Sequence, residues 1–328
     1  DDFHGNDGPI ICHRFKREEW LPSQEAFYQS CRNAGFPDAP DFNQPDSHGV
    51  GPFPSNNPEG IRFSSSIGYL TPARHRLNLT IRPECFVRKL LFNNKAFYGV
   101  EVESEGEIFT VEGKEAILSS GTIANSQILL LSGIGPADEL KEVGIKAIHD
   151  LPGVGKNFSD HPLIFITYGV KEGVKLDGLA PRLQVGLRYT AEGSSRQNDM
   201  MVWMTSFATE RVNRGGERME PIGIRITCSV YIADSKGEIK LVSSDPKEHP
   251  FLDFHLLEDP EDLRRMRESV RLAVDIFNDP AFADMVSERI EPLDHDLEND
   301  ESLNKCCLLY TSDAADDTPC VDLGGRRI

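Results

Sequence analysis

No apolar run in this chain approaches the roughly 20 residues that a helix needs to cross a bilayer. A basic surplus is missing too. With 53 acidic against 35 basic residues the net charge is −18, which argues against a nucleic acid partner or an anionic membrane surface. Cysteine is sparse: Cys12, Cys31, Cys85, Cys228, Cys306, Cys307 and Cys320 form no C-x-x-C pair and no zinc spacing. They read as reduced thiols, without a disulfide framework. The histidines make no metal spacing. G-x-G-x-x-G, the P-loop and the nucleophile elbow G-x-S-x-G are all absent. The opening DDFHGNDGPI has neither a methionine nor a signal peptide, as expected of a chain whose beginning lies upstream.

What remains is the mix of a soluble globular protein, 39% hydrophobic and 27% charged, and long enough for two domains. Residues 1–70 are loop-rich. The spacing there predicts one helix over Ser23–Ala34, with Phe27, Cys31 and Ala34 on a face and Gly35 as its stop. The long loop FPDAPDFNQPDSHGVGPFPSNNPEG either covers a site or cofactor or is a surface excursion. From Leu77 the pattern turns to strands. LTIRPECFVRKLLF and AFYGVEVES meet at an NNK turn, and the meander ends in an expected buried strand, Ala116–Ser119. Ser120-Gly121-Thr122 then joins strand to helix.

A glycine at such a junction lets a ligand approach the backbone, or simply allows close packing. The new helix, from Ile123, offers free N–H groups to an electron-rich partner. Its expected buried face is Ile128, Leu129 and Leu131, and a second helix runs from Pro136 to Gly144. DLPGVGKNFSDH reads as a loop. LIFITYGV, MMVWMTSF, IGIRITCSVYI and GEIKLVSS predict an antiparallel sheet between Leu163 and Phe254. Met200, Met201, Trp203 and Met204 line it, or wall an apolar substrate pocket. A helix capped by Asp259 should turn Leu263, Met266, Val270, Ala273, Val274 and Phe277 to that sheet. Asp160-His161 is either an acid/base pair or two loop neighbours pointing apart. Ser119 and Ser120 read as turn residues, since no paired base marks either as a nucleophile. The fold class is mixed α/β.

At GTIANSQILLLSGIGPADEL the chain resembles the glucose–methanol–choline family of flavin-dependent oxidoreductases. Gly121, Ser132, Gly133, Ile134 and Gly135 stand in register with the family's second signature, while Asn125 and Ser126 replace its usual Ser-Pro. The similarity extends over HGNDGPI, DFNQPDSHGVGPF, NLTIRPECFVRKLLF, DLPGVGKNFSDHP and SKGEIKLVSSDPKEHPFLDFHLLEDPEDL, about residues 1–290. The resemblance implies an FAD-binding α/β domain interleaved with a substrate domain built on an antiparallel sheet. It implies FAD as cofactor, a small-molecule alcohol as substrate and hydride transfer to the flavin. It places Val87, Ser120 and Gly121 at the cofactor. The family's dinucleotide fingerprint and its catalytic His-x-x-Gly-Thr segment are not among these residues, so the chain reads as an internal, inactive fragment with no catalytic residue of its own. A hydroxynitrile lyase on the same scaffold, or a binding module without flavin, are the alternatives.

The last 22 residues are different. Cys307–Asp316 and Val321–Ile328 match one reading frame of a transposase-type sequencing adapter, with index-dependent residues between. The expected organisation is therefore a loop-rich cofactor-covering segment at 1–70, part of the FAD-binding domain at 71–162, a substrate domain at 163–306 and a non-native tail at 307–328. Location is open, with the cytoplasm as default, because any leader would lie upstream. Two sequons, at Asn78 and Asn157, are too common to decide it. Oligomeric state is open as well.

Overall fold

The computed structural model describes residues 4–209 and 220–316. In chain order it begins with α1 (Pro22–Asn33), β1 (Gly49–Pro52) and α2 (Thr71–Ala73). A meander follows: β2 (Phe86–Asn93), β3 (Ala96–Ser104) and β4 (Glu107–Glu112). Next come α3 (Thr122–Leu131), β5 (Ile134–Gly135), α4 (Ala137–Glu142), β6 (His149–Asp150) and β7 (Lys156–Phe158). β8 (Leu163–Val170), β9 (Val185–Tyr189), β10 (Met200–Ala208) and β11 (Gly223–Val230) are the longer sheet strands. The chain continues with β12 (Gly237–Lys240), β13 (Phe251–Asp253), α5 (Pro260–Phe277), β14 (Val286–Glu291) and α6 (Asp300–Asp316). Contacts divide it into two compact units. One is drawn from Asp1–His75, His161–Asp234 and Leu256–Ile328, the other from Arg76–Asp160 and Ser235–His255.

The larger unit is built on a six-stranded antiparallel sheet, β1-β9-β10-β11-β8-β14. Strand alternation sends Met200, Val202, Met204, Ile224, Ile226 and Cys228 to one face, where they meet α1 and α5 in a single core. α5 forms as its pattern predicts. Pro260 opens it, the Asp259 carboxylate accepts from the Glu261 N–H at 2.8 Å, and Met266, Val270, Ala273 and Phe277 are buried. α1 brings Phe27 and Cys31 to the same core, whereas Ala34 is exposed beyond its end, and Gly35 stops the helix at φ +94°. α1 also carries Gln24, fully buried. Its amide nitrogen donates to Met204 O and Ser206 Oγ, and its amide oxygen accepts from Val185 N at 2.9 Å, so it ties β9 to β10. Truncating the fully buried Phe27 to alanine should cost about 3–5 kcal/mol in a urea unfolding experiment. A loss below about 1 kcal/mol would contradict this packing.

The thiols follow burial. Cys31 and Cys228 are fully buried, and burial pushes Cys31 well up and Cys228 to about 12, while Cys12 is exposed. Alkylation needs the thiolate, whose fraction at a pKa of about 12 is about 10⁻⁴ at pH 8. Mass spectrometry after iodoacetamide at pH 8 should find Cys12 modified and Cys31 and Cys228 protected until urea is added. Equal labelling of Cys12 and Cys228 in the native protein would refute this.

The smaller unit holds the antiparallel meander β2-β3-β4, the sheet β13-β12-β7 and a short parallel pair, β5-β6. A two-residue turn at Asn94-Lys95 joins β2 to β3, with Asn94 at φ +57°. α3 packs on β2 through Ser132. The Ser132 hydroxyl donates to Ile128 O at 2.5 Å and accepts from Leu90 N at 2.8 Å. Lys156 joins α4 to β12 through Glu139 at 2.6 Å and Glu238 at 2.7 Å.

Several local expectations need correction. Ala116–Ser119 forms no strand and is not buried: Ile117 is 90% exposed, and no described strand runs beside it. An apolar run marks a strand as buried only where a partner covers it. DLPGVGKNFSDH contains β7, which pairs with β12, so GEIK belongs to this sheet and not to the six-stranded one. Alternation identifies a strand without saying which sheet takes it. The long N-terminal loop contributes edge strand β1, and β9 and β14 join the large sheet unannounced. On α3 the buried residues are Ile128 and Leu130, with Leu129 and Leu131 half-buried.

The expected junction at Cys307 falls inside α6, and Cys307 itself packs in the core of the larger unit. Leu308 and Leu309 are 40% and 65% exposed, so helical continuation there does not amount to a packed apolar face. Residues 317–328 of the expected tail lie outside the described residues. Among the described residues no helix is long and apolar enough to cross a membrane.

Candidate functional site

In the smaller unit the meander, the segment after it and α3 enclose a cleft of about 260 Å³. Leu90, Phe97, Val100 and Ile128 give it apolar walls, and Val87 and Ser120 both line it. β2 is an edge strand of its sheet among the described residues, so part of its backbone faces away from β3. At Leu90 that outward amide is taken by Ser132. Glu101 and Glu103, on the next strand, pair with Arg88 at 3.2 and 2.7 Å, and Lys247 adds a 2.5 Å bond to Glu103. The Lys247 ammonium, then Arg88, hold the Glu103 carboxyl below its ordinary range. These charges are satisfied within the unit by one another.

The turn at the end of the cleft is built by two residues. Gly121 caps α3 at φ +87° and ψ 169°, a region that essentially only glycine occupies, and no atom lies within 4 Å of where a Cβ would stand. Asn125, one turn into the helix, reaches back. Its side-chain oxygen accepts from Ser120 N at 2.8 Å, its amide nitrogen lies 3.4 Å from Leu118 O, and its own N–H donates to Gly121 O at 2.9 Å. In sequence Asn125 stands out only as a departure from a motif. Here it holds the turn into α3 in place, and an asparagine four residues past the junction glycine is the available signal. The first amides of α3 have no partner within the helix, by helix geometry, and no acidic residue occupies its first turn.

Thus Val87 and Ser120 meet in one cleft, and Gly121 follows directly at its rim. Ser119 is exposed. Asp160 closes the smaller unit and His161 opens the larger, where its ring lies flat on Tyr231 with centroids 4.2 Å apart. Asp234, Asp259 and Asp262 could bring three carboxylate oxygens within 4.8 Å. Asp262 is already paired with Arg265 at 2.5 Å and Asp259 caps α5, so this grouping is an ion-pair and capping cluster.

The larger unit has a second sheet face, opposite α1 and α5. Met201 and Trp203 project there and meet Ala39, Phe42 and Phe53 from the N-terminal loop. Arg188 pins that loop, donating to Phe42 O at 2.6 Å and Ser47 O at 3.1 Å.

One model of GMC oxidoreductases matches residues 11–163 and a second matches residues 233–321. The chain belongs to the GMC oxidoreductase family. The oxygen-dependent choline dehydrogenase of Photobacterium profundum is 30% identical to it over 325 residues, covering 93% of this chain and 57% of that protein. That of Staphylococcus aureus is 32% identical over 315 residues, covering 89% and 54%. The chain thus spans little more than half the length of these relatives. Among solved structures, pyridoxine 4-oxidase from Mesorbium loti superposes with a TM-score of 0.82 at 21% identity, over 94% of this chain and 60% of that one. A formate oxidase of Aspergillus oryzae, studied for its FAD modification, gives 0.79 at 22%, over 93% and 62%. These likenesses support the mixed α/β GMC fold. FAD is the cofactor of the GMC family, and the residues present fit part of it. The cleft is apolar and ring-sized, and the Gly121 turn leaves backbone open to close approach.

Proposed function

We propose that the protein is an FAD-dependent alcohol oxidoreductase and that Val87, Ser120 and Gly121 are cofactor contacts. The observation that carries this reading is the meeting of Val87 and Ser120 in one apolar cleft, next to a glycine turn at the start of α3. The main chain near Val87, on the edge strand, would hold the ring system in the plane of the cleft. Apolar walls from Leu90, Phe97 and Val100 would exclude water from it. Asn125 would keep the Ser120–Gly121 backbone in its open conformation before the ligand arrives, so binding need not order it. When bound, FAD supplies the hydride acceptor for alcohol oxidation. The second face of the six-stranded sheet, with Met201 and Trp203, would serve as the substrate wall. The choline dehydrogenase relatives make a quaternary-ammonium alcohol one candidate substrate.

The test is occupancy. In the full-length protein, Val87→Pro, which removes the amide of this edge position, should lower bound flavin per chain at least tenfold, read by absorbance near 450 nm. Unchanged occupancy in a folded variant would remove Val87 from the cofactor site. The 328 residues contain neither a G-x-G-x-x-G nor a His-x-x-Gly-Thr segment. Expressed by themselves, they should show no alcohol-dependent flavin reduction, and turnover would contradict that expectation. Cleavage of a cyanohydrin by the full-length protein, without flavin reduction by any alcohol, would favour the lyase reading.

A further inference from the structure

A cavity of about 130 Å³ lies on the helix side of the six-stranded sheet, within the larger unit. The first turn of α1, strands β10 and β11, the loop at 174–180 and Met285 enclose it. Its walls are mostly apolar, with Leu21, Val174, Leu176, Ile224 and Met285. Ile224 belongs to the core against α1 and α5, so the cavity is on the side away from Met201 and Trp203.

Two serines bring hydrogen-bond donors to these walls. Ser23 and Ser206 are each 5% exposed, and both border the cavity. Gln24 fixes what Ser206 can do. The Gln24 amide oxygen accepts from Val185 N, so its nitrogen is the end that donates to Met204 O at 3.0 Å and to Ser206 Oγ at 2.7 Å. The Ser206 oxygen therefore accepts in that bond, and its own proton has no acceptor among the described residues. The Ser23 hydroxyl makes no hydrogen bond among the described residues either. Ser23 is also the second residue of α1, and its N–H is the open amide of the first turn. Pro22 has no N–H, and Gln24 and Glu25 both donate to Leu21 O. An open amide at a helix start favours a negative partner.

Lys175 and Asp177 also border the cavity, and both are exposed. Water and salt screen such charges, so the buried donors set the preference. Two hydroxyl protons and an amide without acceptors suit a ligand rich in acceptors, and a carboxylate offers two oxygens with about four lone-pair sites. A dry cavity of about 150 Å³ takes up a benzene ring, so there is room here for an apolar body of about that size.

We propose that this cavity is a binding site for a small monocarboxylate with a short aromatic or aliphatic body. Ser23 and Ser206 hold the carboxylate, and Leu176, Ile224 and Met285 pack on the body. The site is on the face opposite the one read as the substrate wall and does not depend on that reading.

Equilibrium dialysis of labelled benzoate against the full-length, FAD-loaded protein tests it. One benzoate should bind per chain, at least tenfold more tightly than benzamide, the neutral molecule of the same shape. Ser206→Ala should weaken benzoate about tenfold, the loss of one hydrogen bond to a charged group, while Gln24 keeps its bond to Met204 O. Ser23→Ala should act in the same direction. Should a serine variant fail to fold, Ala180→Leu provides the second arm, because it fills the cavity from a loop and leaves the core strands untouched. It should abolish benzoate binding. No bound benzoate, benzamide bound as tightly, or unchanged benzoate affinity in folded Ser206→Ala or Ala180→Leu would each overturn the proposal. Loss of benzoate in Trp203→Ala, with the cavity variants unaffected, would place the ligand on the substrate wall and overturn it equally.

Discussion

Replacing Arg265 by alanine should lower the unfolding free energy by about 3–5 kcal/mol, the cost of leaving buried carboxylates without their partner. Arg265 lies on the sheet-facing side of α5 and is 2% exposed, and Asp199 and Asp262 are fully buried. Its guanidinium reaches Asp199 at 2.6 Å, Asp262 at 2.5 Å and Asp234 at 3.0 Å. Burial works to lower its pKa, but the hydrogen bonds it donates to Asp199 and Asp262 prevail and hold it above the ordinary value. The carboxylates have further duties. Asp199 accepts from Ala191 N and the Ser194 hydroxyl, and Asp262 accepts from Asp234 N at 2.8 Å. The network therefore joins α5, the start of β10 and the segments that flank the sheet.

Removing the arginine strands two negative charges in the core. Arg265→Lys should cost less, since a charge remains but the fork that reaches both aspartates is gone. Combining Arg265→Met with Asp199→Asn and Asp262→Asn should recover part of the loss. Urea unfolding of the three variants decides the matter. A loss below about 1 kcal/mol for Arg265→Ala would mean that the network is not closed as described.

Gly121→Val should have the larger functional effect. The glycine sits at φ +87° and ψ 169°, where a side chain costs about 1–3 kcal/mol in backbone strain and a β-branched one lies at the upper end. No neighbour would clash with the new Cβ, so the strain acts through the backbone alone. Relieving it means rotating the peptides on either side of Gly121, one of which accepts from Asn125 N through Gly121 O, and Ser120 beside them lines the cleft. In the full-length protein, flavin bound per chain should fall at least tenfold while most of the protein stays folded. Gly121→Ala should give a smaller fall in the same direction. Full flavin occupancy in folded Gly121→Val would show that the turn's conformation is not needed for the cofactor.

The two predictions mark what the sequence could and could not reveal. The Gly121 junction is legible because a glycine and a helical pattern meet there within a few residues. α5 was legible for a similar reason, since Asp259, Pro260 and the apolar spacing all lie on one short segment. The Arg265 network was not. Its partners stand 3, 31 and 66 positions away, and nothing in a charged residue's neighbours along the chain says which distant carboxylate it will meet. The hydrogen bonds that join Arg225, Thr167 and Glu291 are hidden in the same way, since they come from β11, β8 and β14. Ala116–Ser119 is a different case. Its apolar run looked like a buried strand, but burial depends on a neighbour that the run itself does not encode. Alternation marks β12 as a strand but carries no address, and β12 pairs with β7 and β13 and not with the six-stranded sheet.

Anaerobic mixing of the full-length, FAD-loaded protein with a primary alcohol, followed near 450 nm, tests the central reading most directly. The account predicts that at least one such alcohol bleaches the flavin band and yields one aldehyde per flavin reduced. A band that stays unbleached with benzyl alcohol, choline and simple aliphatic alcohols, in protein with full flavin occupancy, would contradict it.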